Sequence, residues 1–201
     1  METIRGKTSQ IIDDYGFHAR LNPYSHVVLD LGTGDGRYVR TLAAQHPDWF
    51  VIGVDACREN LREGSRRYSP NMLFVIANAR NLPQEFDGRI SHLAIHFPWG
   101  SLLESLLKGD EVLMNELSRI TRSNAQTDIY LNGGALTETG AALEAGANTI
   151  YENMTQYGWK FQTPQFLNPQ VLRAFPTTWA KRLAYGRDPR AVALHGTRAK
   201  T

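Results

Sequence analysis

An apolar run that leads into three closely spaced glycines constrains the fold of this chain most. Residues 27–30, VVLD, have the composition of a buried strand in a parallel sheet. Gly32, Gly34 and Gly36 follow, and glycine allows both positive φ angles and a close approach of a ligand to the backbone. From residue 37 the apolar side chains have helical spacing. The sequence therefore predicts a strand, a glycine loop and a helix, the first unit of a nucleotide-type site.

Two carboxylates, Asp30 and Asp35, distinguish this loop from a dinucleotide-binding loop. Its glycines are spaced G-x-G-x-G rather than G-x-G-x-x-G, and the paired negative charges would repel a pyrophosphate. A sulfonium cation with a free amino group would not be repelled. The segment resembles the first motif of class I S-adenosylmethionine (SAM) methyltransferases, with a tight structural turn as the alternative. The resemblance implies that five residues bind SAM: Asp30, Gly32, Thr33, Gly34 and Gly36.

The next two predicted strands contribute further candidates for the cofactor site. A second buried strand, residues 50–55, ends at Asp55, where such folds place an acidic residue on the ribose hydroxyls. The alternative is that Asp55 is the N-cap of the helix predicted over residues 56–68. A third strand over residues 71–79 ends with Ala77 and Asn78 as candidates for cofactor binding, where Asn78 could present its amide toward the adenine or could equally cap the following turn.

The fourth predicted strand, residues 90–96, leads into an aromatic segment, FPWGS. Because ligands lie outside the carboxyl ends of the strands, this segment should face the methyl donor. Pro98 stiffens the backbone, so Phe97 and Trp99 suit a stacking platform, with a buried structural tryptophan as the alternative. His92 and His96 are expected to be satisfied core or rim imidazoles rather than a catalytic pair.

The remaining segments predict further elements of an α/β fold. Residues 132–148 are small and glycine-rich, which suggests a mobile connection or a loosely packed helix over the site. The other predictions are an extended piece up to residue 10, helices over 11–21, 102–107, 111–120 and 150–157, strands over 128–131, 159–167 and 191–196, and a last helix that starts at Pro176 and Thr177 and ends at Gly186.

Composition limits the class of protein. A chain of 201 residues with 42% hydrophobic residues can bury one full core, so we expect a single domain over 1–201, with residues 1–25 as an N-terminal extension. One cysteine, Cys57, excludes an internal disulfide, and the histidines have no metal-ligand spacing, so no metal is expected. Without an apolar run near 18 residues or a signal-peptide pattern, we expect a cytoplasmic monomer that does not bind membranes.

The charge is unevenly distributed along the chain. Residues 170–201 contain seven basic residues and one acidic residue, a charge of +6, whereas the first 169 contain 15 basic and 19 acidic residues, a charge of −4. A cationic end on a nearly neutral protein suggests that a polyanion docks there, as a basic segment within the fold. A chance excess of solvated charge is the alternative.

Three separated segments together resemble the Kam/Npm aminoglycoside-resistance methyltransferases. They are DLGTGDG at 30–36, FPWGSLLE at 97–104 and WAKRLAYGR at 179–187. The resemblance implies a seven-stranded, mostly parallel α/β sheet of the Rossmann-like class I type with an antiparallel last strand. It also implies SAM as cofactor, S-adenosylhomocysteine as product, and N1 of adenine 1408 of 16S rRNA in the 30S ribosomal subunit as target, with aminoglycoside resistance as the consequence.

The same resemblance implies roles for residues outside the cofactor loop. The target adenine would be flipped between Trp99 and Trp179, with Phe97 packed beside it and Thr177 orienting the Trp179 segment. N1 of adenine already carries an in-plane lone pair, so the reaction needs alignment rather than a general base. Six basic residues would contact rRNA: Arg66, Arg67, Lys181, Arg182, Arg187 and Arg190.

Departures from the family pattern leave other functions open. The stretch before the third strand, Arg62 to Pro70, is short and has only Arg62, Arg66 and Arg67 as basic residues, and Arg80 stands where a glutamate is expected. A tRNA guanine-N7 methyltransferase also has a Pro-Trp motif but would need an acidic residue before it. A small-molecule methyltransferase would not need the basic end. A non-catalytic RNA-binding module would tolerate loss of Gly34 or Asp55, and both are present.

Overall fold

The computed structural model describes residues 1–185 and 189–199. Within them, ten strands form one mixed sheet. The strands are β1 (Glu2–Arg5), β2 (Thr8–Ile11), β3 (His26–Leu31), β4 (Trp49–Asp55), β5 (Met72–Ile76), β6 (Ile90–His96), β7 (Thr121–Asn132), β8 (Trp159–Phe161), β9 (Gln165–Leu167) and β10 (Ala191–Arg198).

Nine α-helices lie in the same described part of the chain. They are α1 (Asp14–Leu21), α2 (Arg37–Gln45), α3 (Arg58–Gly64), α4 (Gly100–Lys108), α5 (Glu111–Ile120), α6 (Gly133–Glu138), α7 (Leu143–Gln156), α8 (Pro169–Ala174) and α9 (Thr178–Ala184). None of the helices in residues 1–185 and 189–199 is long and apolar enough to cross a membrane.

The strand order is that of a class I SAM-dependent methyltransferase, as the sequence predicts. Along the sheet the order is β2-β1-β5-β4-β3-β6-β7-β10-β8. Neighbours from β5 to β7 pair in parallel, whereas β10 is antiparallel to β7. The order reverses between β3 and β6, and this reversal leaves a crevice at the carboxyl ends of the parallel strands.

The strand count differs from the expected seven at both ends of the chain. The predicted strand over 159–167 is divided into β8 and β9, which both pair with β10. Pro164 lies between them and has no N–H to donate to a ladder. The first residues form a hairpin, turned at Gly6 (φ +61°), whose β1 pairs with β5 and covers that sheet edge.

Helices cover the two faces of the sheet unequally. Side chains alternate along β3, so that Val27 and Leu29 belong to the large core under α1, α4, α5 and α7, whereas Val28 belongs to a smaller core under α2 and α3. A third and smallest cluster joins α8 and α9 to the end of β6 and the start of β10. The elements that carry the cofactor motif are therefore packed on both sides.

The glycine-rich segment 132–148 is not a loose connection, so that expectation is wrong. It ends β7, forms α6 and begins α7, and Leu136, Leu143 and Ala147 are buried in the large core. A Cβ on Gly146 would lie 2.6 Å from Cδ2 of Leu136. The small residues in this segment therefore allow close contact between two helices and do not indicate mobility.

Several boundaries also differ from the sequence predictions. Strand β7 begins at Thr121 rather than at 128, because β6 and β10 pair with it on either side, and a bulge with Asn124 at φ +62° accommodates the added residues. Helix α1 begins after Asp13, whose side chain caps it. Helix α3 is shorter than predicted, and α8 was not predicted although Asn168 and Pro169 are an N-terminal helix signal.

Candidate active site

A cavity of about 650 Å³ opens at the carboxyl ends of the parallel strands, on the crevice described above. Its walls are formed by the end of β3, the glycine loop, the ends of β4, β5 and β6, and the start of α9. Twelve residues that the sequence analysis assigned to SAM, the target base or RNA line it: Asp30, Gly32, Thr33, Gly34, Asp55, Ala77, Asn78, Phe97, Trp99, Thr177, Trp179 and Arg182.

The glycine loop is built by backbone geometry that glycine permits. Gly32 and Gly34 have φ angles of +75° and +59°, a region that side chains rarely enter. The N–H groups of Gly32 and Thr33 both donate to the carbonyl of Val54, at 2.8 and 3.0 Å, which joins the loop to the end of β4. The loop is thereby held against the neighbouring strand with its outer side open to the cavity.

Gly36, which the sequence analysis assigned to the cofactor, does not line the cavity. It is the N-cap of α2 with φ +67°, and a Cβ there would lie 2.3 Å from Cε1 of Phe74. The third glycine of the motif therefore allows α2 to begin directly against the smaller core. A side chain would collide with an aromatic ring rather than with a ligand.

Two of the predicted carboxylates are fixed by hydrogen bonds from the loops around them. Asp30 is 2% exposed and accepts a bond from the Thr33 hydroxyl at 2.5 Å. Asp55 accepts from the N–H of Gly34 at 2.9 Å and the N–H of Cys57 at 2.8 Å. The N-cap of α3 is Cys57, so the alternative that Asp55 is that N-cap is wrong.

Asp30, Asp35 and Asp55 together border one side of the cavity. Three carboxylates around a partly enclosed volume produce a negative potential that favours a cationic ligand. Asn78 lies across the cavity, and its side-chain oxygen accepts from the N–H of Arg80 at 2.9 Å. Asn78 therefore caps its own turn, as one of the two interpretations proposed, while also lining the site.

The aromatic half of the cavity consists of Trp99 and Trp179. Both are near 40% exposed, at 42% and 43%, and their rings stack with centroids 5.5 Å apart and planes 17° from parallel. Trp99 directly precedes α4, whereas Trp179 is the second residue of α9, whose N-cap Thr177 accepts from the N–H of Ala180 at 3.0 Å. The fold thus places two distant tryptophans face to face at the mouth of the cavity.

Phe97 lies deeper than a stacking residue would. It is 3% exposed, belongs to the cluster with Leu172, Ala180 and Ala191, and has φ +52°, an uncommon angle for a residue with a side chain. Its N–H donates to the carbonyl of Tyr130 at 2.7 Å. This bond extends the pairing of β6 with β7 by one residue, and the positive φ of Phe97 then turns the chain before Pro98 and Trp99, which line the cavity.

Comparison with known proteins identifies the family. The family model described as "NpmA: 16S rRNA (adenine(1408)-N(1))-methyltransferase" matches residues 2–198. A 16S rRNA (adenine(1408)-N(1))-methyltransferase of Streptoalloteichus tenebrarius is 30% identical, with 98% of this chain and 99% of that protein covered. One of Escherichia coli with the same description is 30% identical over 83% of this chain and 84% of its own. The crystal structure of the 16S rRNA methyltransferase KamB superposes with a TM-score of 0.88 at 29% identity, with both chains fully covered.

This chain belongs to the NpmA family. It is therefore a SAM-dependent methyltransferase, in agreement with the strand order of its sheet. The resemblance that the three sequence segments indicated is confirmed over nearly the whole chain.

Among the basic residues that the resemblance assigned to RNA and that lie within 1–185 and 189–199, Arg182 alone lines the cavity. Arg182 lines the cavity, and its Cζ lies 5.3 Å from the centroid of the Trp179 ring, a cation–π contact. Arg66 and Arg67 are exposed after α3, beside the N-terminal hairpin. Lys181 is half-buried and Arg190 is exposed, whereas Arg187 lies outside the described residues.

Among the cavity-lining residues to which sequence analysis assigned no role in this site are Tyr38, His96 and Thr178, whereas Asp35, noted there for its charge, also lines it. His96 is buried, with Nδ1 3.3 Å from Oδ1 of Asp30. Burial raises the pKa of Tyr38 above its usual range, and the nearby charge of Asp30 adds to the shift. The spacing of His92 and His96 could have indicated the contact between His96 and Asp30. Residues four apart on a strand share a face, and this face of β6 lies beside Asp30 of β3.

His92 belongs to a separate polar cluster beneath the cavity. Its Nε2 lies 2.6 Å from one oxygen of Asp128, whose other oxygen lies 2.5 Å from Nδ1 of His195. Burial acts to raise the pKa of Asp128, but the hydrogen bonds from His92 and His195 outweigh it, so the pKa lies below its ordinary value. The residues in 1–185 and 189–199 include no group of three or more His, Cys, Asp or Glu side chains arranged to hold a metal ion.

Proposed function

We propose that this protein transfers the methyl group of SAM to N1 of adenine 1408 of 16S rRNA within the 30S subunit. The observation that carries the proposal is one cavity that combines a carboxylate-lined glycine loop with two exposed, stacked tryptophans. Membership of the NpmA family supports the target, because its family model and curated relatives carry that activity in their descriptions.

The chemistry of the cavity fits SAM. Asp55, at the end of β4, would receive the ribose hydroxyls, and Ala77 with Asn78 would border the adenine. Asp30 and the loop residues Gly32, Thr33 and Gly34 would surround the methionine portion, whose ammonium and sulfonium charges suit carboxylates. When bound, SAM supplies the methyl group and leaves as S-adenosylhomocysteine.

Trp99 and Trp179 would hold the target base once it has left its stack. Bases in a stack are spaced ~3.4 Å apart, so a base between two rings separates them by ~7 Å. The present separation of the ring centroids is 5.5 Å, so the slot must open for a base to enter. Extrusion of a base costs a few kcal/mol, and stacking on each aromatic face returns about 1–3 kcal/mol.

Transfer to adenine N1 does not call for a general base. The in-plane lone pair of N1 is free to bond to the methyl carbon, so the protein must align the two atoms at roughly 3 Å. Phe97 supports this alignment by holding the turn that carries Trp99, and Thr177 does so by capping α9. The site therefore contributes position and electrostatics.

Docking on the 30S subunit would use the basic residues around the slot. Arg182 lies beside the Trp179 ring, and Lys181, Arg187 and Arg190 belong to the same basic segment of the sequence. Arg66 and Arg67 form a second basic position near the N-terminal hairpin. Contacts to phosphate are independent of sequence and sensitive to salt. The enzyme would act as a monomer in the cytoplasm, where ribosomes are assembled. Methylation of the decoding site would confer aminoglycoside resistance.

The test is methyl transfer from labelled SAM to purified bacterial 30S subunits, followed by primer extension through the decoding site. Methylated N1 cannot form a Watson–Crick pair, so we expect a stop at adenine 1408. Naked 16S rRNA and bulk tRNA are the parallel substrates. Label at another rRNA position, or in tRNA alone, would retain the methyltransferase and overturn the target. No label in any RNA, despite measurable SAM binding, would favour the small-molecule or non-catalytic alternatives.

A further inference from the structure

The glycine loop and the tryptophan slot are joined by a direct hydrogen bond. The Thr178 hydroxyl donates to Oδ2 of Asp35 at 2.6 Å, across 143 residues of sequence. Asp35 belongs to the glycine loop, and Thr178 directly precedes Trp179. Both residues line the cavity, so the bond lies where its cofactor half meets its aromatic half.

We propose that Asp35 and Thr178 are a positioning pair that makes the placement of Trp179 depend on the order of the cofactor loop. The inference rests on the proposed function only in taking Trp179 as the residue that holds the target base. Neither residue is assigned a chemical step. The pair acts through the tryptophan that follows it.

The carboxylate of Asp35 is held from two sides. Its Oδ1 accepts from the N–H of Arg37, the first residue of α2, at 3.1 Å, while Oδ2 accepts from Thr178. A hydrogen bond to a charged acceptor is shorter and stronger than one between neutral groups. Asp35 therefore connects the start of α2, on the cofactor side, to the start of α9, on the aromatic side.

A second contact between the same elements supports the coupling. The ring of Phe175, just before α9, stacks on Tyr38 of α2 with centroids 6.0 Å apart and planes 5° from parallel. The segment 175–179 thus contacts the start of α2 at two points, one polar and one aromatic. Order in the glycine loop and α2 is transmitted to Trp179 through both.

The ring of Trp179 contacts Trp99 and Arg182, so its position otherwise depends on how α9 is placed. Helix α9 has seven residues, and among its side chains Ala180 is fully buried, in the smallest of the three clusters. Trp179 itself is 43% exposed. An exposed aromatic ring on a short helix is fixed mainly by the position of the helix. Loss of the bond at the first helical residue would leave the ring able to shift.

The first test removes the hydroxyl and keeps the shape of the side chain. We expect Thr178→Val to lower the single-turnover rate of methyl transfer to 30S subunits by ~10- to 100-fold, because a displacement of about 1 Å is enough for such a loss. The KM for SAM and its Kd should stay within about twofold, and Thr178→Ser should restore the rate. Thr149→Val is the matched control, since Thr149 is exposed on α7 and bonds to Ala145 of its own helix.

A double variant tests whether the two side chains act as a pair. Asp35→Ala removes the acceptor, so Asp35→Ala/Thr178→Val should be no slower than Asp35→Ala alone. Losses that multiply in the double variant would overturn the proposal. So would a Thr178→Val enzyme that transfers as fast as Thr149→Val, or one whose rate falls only because SAM binds more weakly.

Hydrogen exchange tests the coupling without any RNA. S-adenosylhomocysteine should slow amide exchange in the peptide that covers residues 175–185 of the wild-type protein, and Thr178→Val should abolish that protection. Equal protection in both proteins, or none in the wild type, would overturn the inference. This readout is independent of the target. If wild-type protein leaves 30S subunits unmethylated, the proposed function fails while the exchange data still decide the coupling.

Discussion

The cofactor half and the aromatic half of the cavity differ in how they are held. The glycine loop lies between α2, α3 and two strands, with so little space that a Cβ on Gly64 would lie 2.3 Å from the carbonyl oxygen of Asp35. The segment with Trp179 rests on a cluster with only four fully buried residues and on side-chain contacts with Asp35 of the glycine loop and Tyr38 of α2.

The difference corresponds to what each half has to bind. A small cofactor is best bound by a site that is already formed, because a preformed site loses little entropy on binding. A base that arrives attached to a ribosomal subunit needs a slot that can open, and the stacked rings of Trp99 and Trp179 must separate to admit it. Variants of the two halves should therefore fail in different ways.

Loss of either slot tryptophan should give the largest effect. Trp99→Ala or Trp179→Ala should reduce methyl transfer by about 1,000-fold, through lost stacking and a misplaced base, with SAM Kd near that of the wild type. Calorimetric SAM binding beside the 30S assay measures both. Trp49→Phe, outside the cavity, is the control and should transfer normally. Activity retained in both alanine variants would contradict the stacking role.

A side chain on the third glycine should instead damage the fold. Gly36→Ala combines a positive φ with a collision against Phe74, so we expect a loss of about 2–4 kcal/mol in the free energy of unfolding. Gly34→Ala is the matched control, since φ there is +59° and no atom lies within 4 Å of its Cβ. Urea unfolding should show it losing only about 1–2 kcal/mol. Equal losses in the two variants would show that the collision with Phe74 adds nothing to the loss in the free energy of unfolding.

The cluster of Asp128, His92 and His195 should make a smaller, pH-dependent contribution to the free energy of unfolding. Because the pKa of Asp128 lies below its ordinary value of 3.8, its stabilising effect is present above pH 3.8 and is lost as the pH falls through the folded pKa. Asp128→Asn should therefore lower the free energy of unfolding by about 1–2 kcal/mol at pH 7. The difference from wild type should shrink in urea titrations below pH 3.8. A constant difference would contradict this origin.

The smallest effect should come from the basic rim of the slot. Arg182→Ala should weaken 30S binding several-fold and reduce the slope of log Kd against log salt by about 1, as expected for one phosphate contact. Filter binding over a series of salt concentrations measures both. Lys108→Ala is the control, since Lys108 already pairs with Glu104 on α4. An unchanged slope would show that Arg182 contacts Trp179 but no phosphate of the RNA.

Local sequence patterns were enough to predict most of the fold. The glycine spacing, the apolar strands and the FPW segment predicted the parallel core and the position of the cavity, because such patterns depend on residues near in sequence. Predictions from local patterns were wrong where tertiary packing determines the structure. Residues 132–148 look loose by composition, yet Gly146 is small because Leu136 packs against it. The single-domain boundary and the roles of the site residues remain predictions.

The sequence by itself determined the strand–loop–helix unit, which follows from periodicity and glycine spacing. It also determined the family, through three short motifs, and the resemblance to that family implied the antiparallel last strand. Only the tertiary structure decided which side chains meet. Asp35 and Thr178 are 143 residues apart, and nothing in their neighbourhoods indicates a bond between them. Closure of β10 beside β7 brings α9 over the glycine loop, and contacts that depend on such closure cannot be inferred from local spacing.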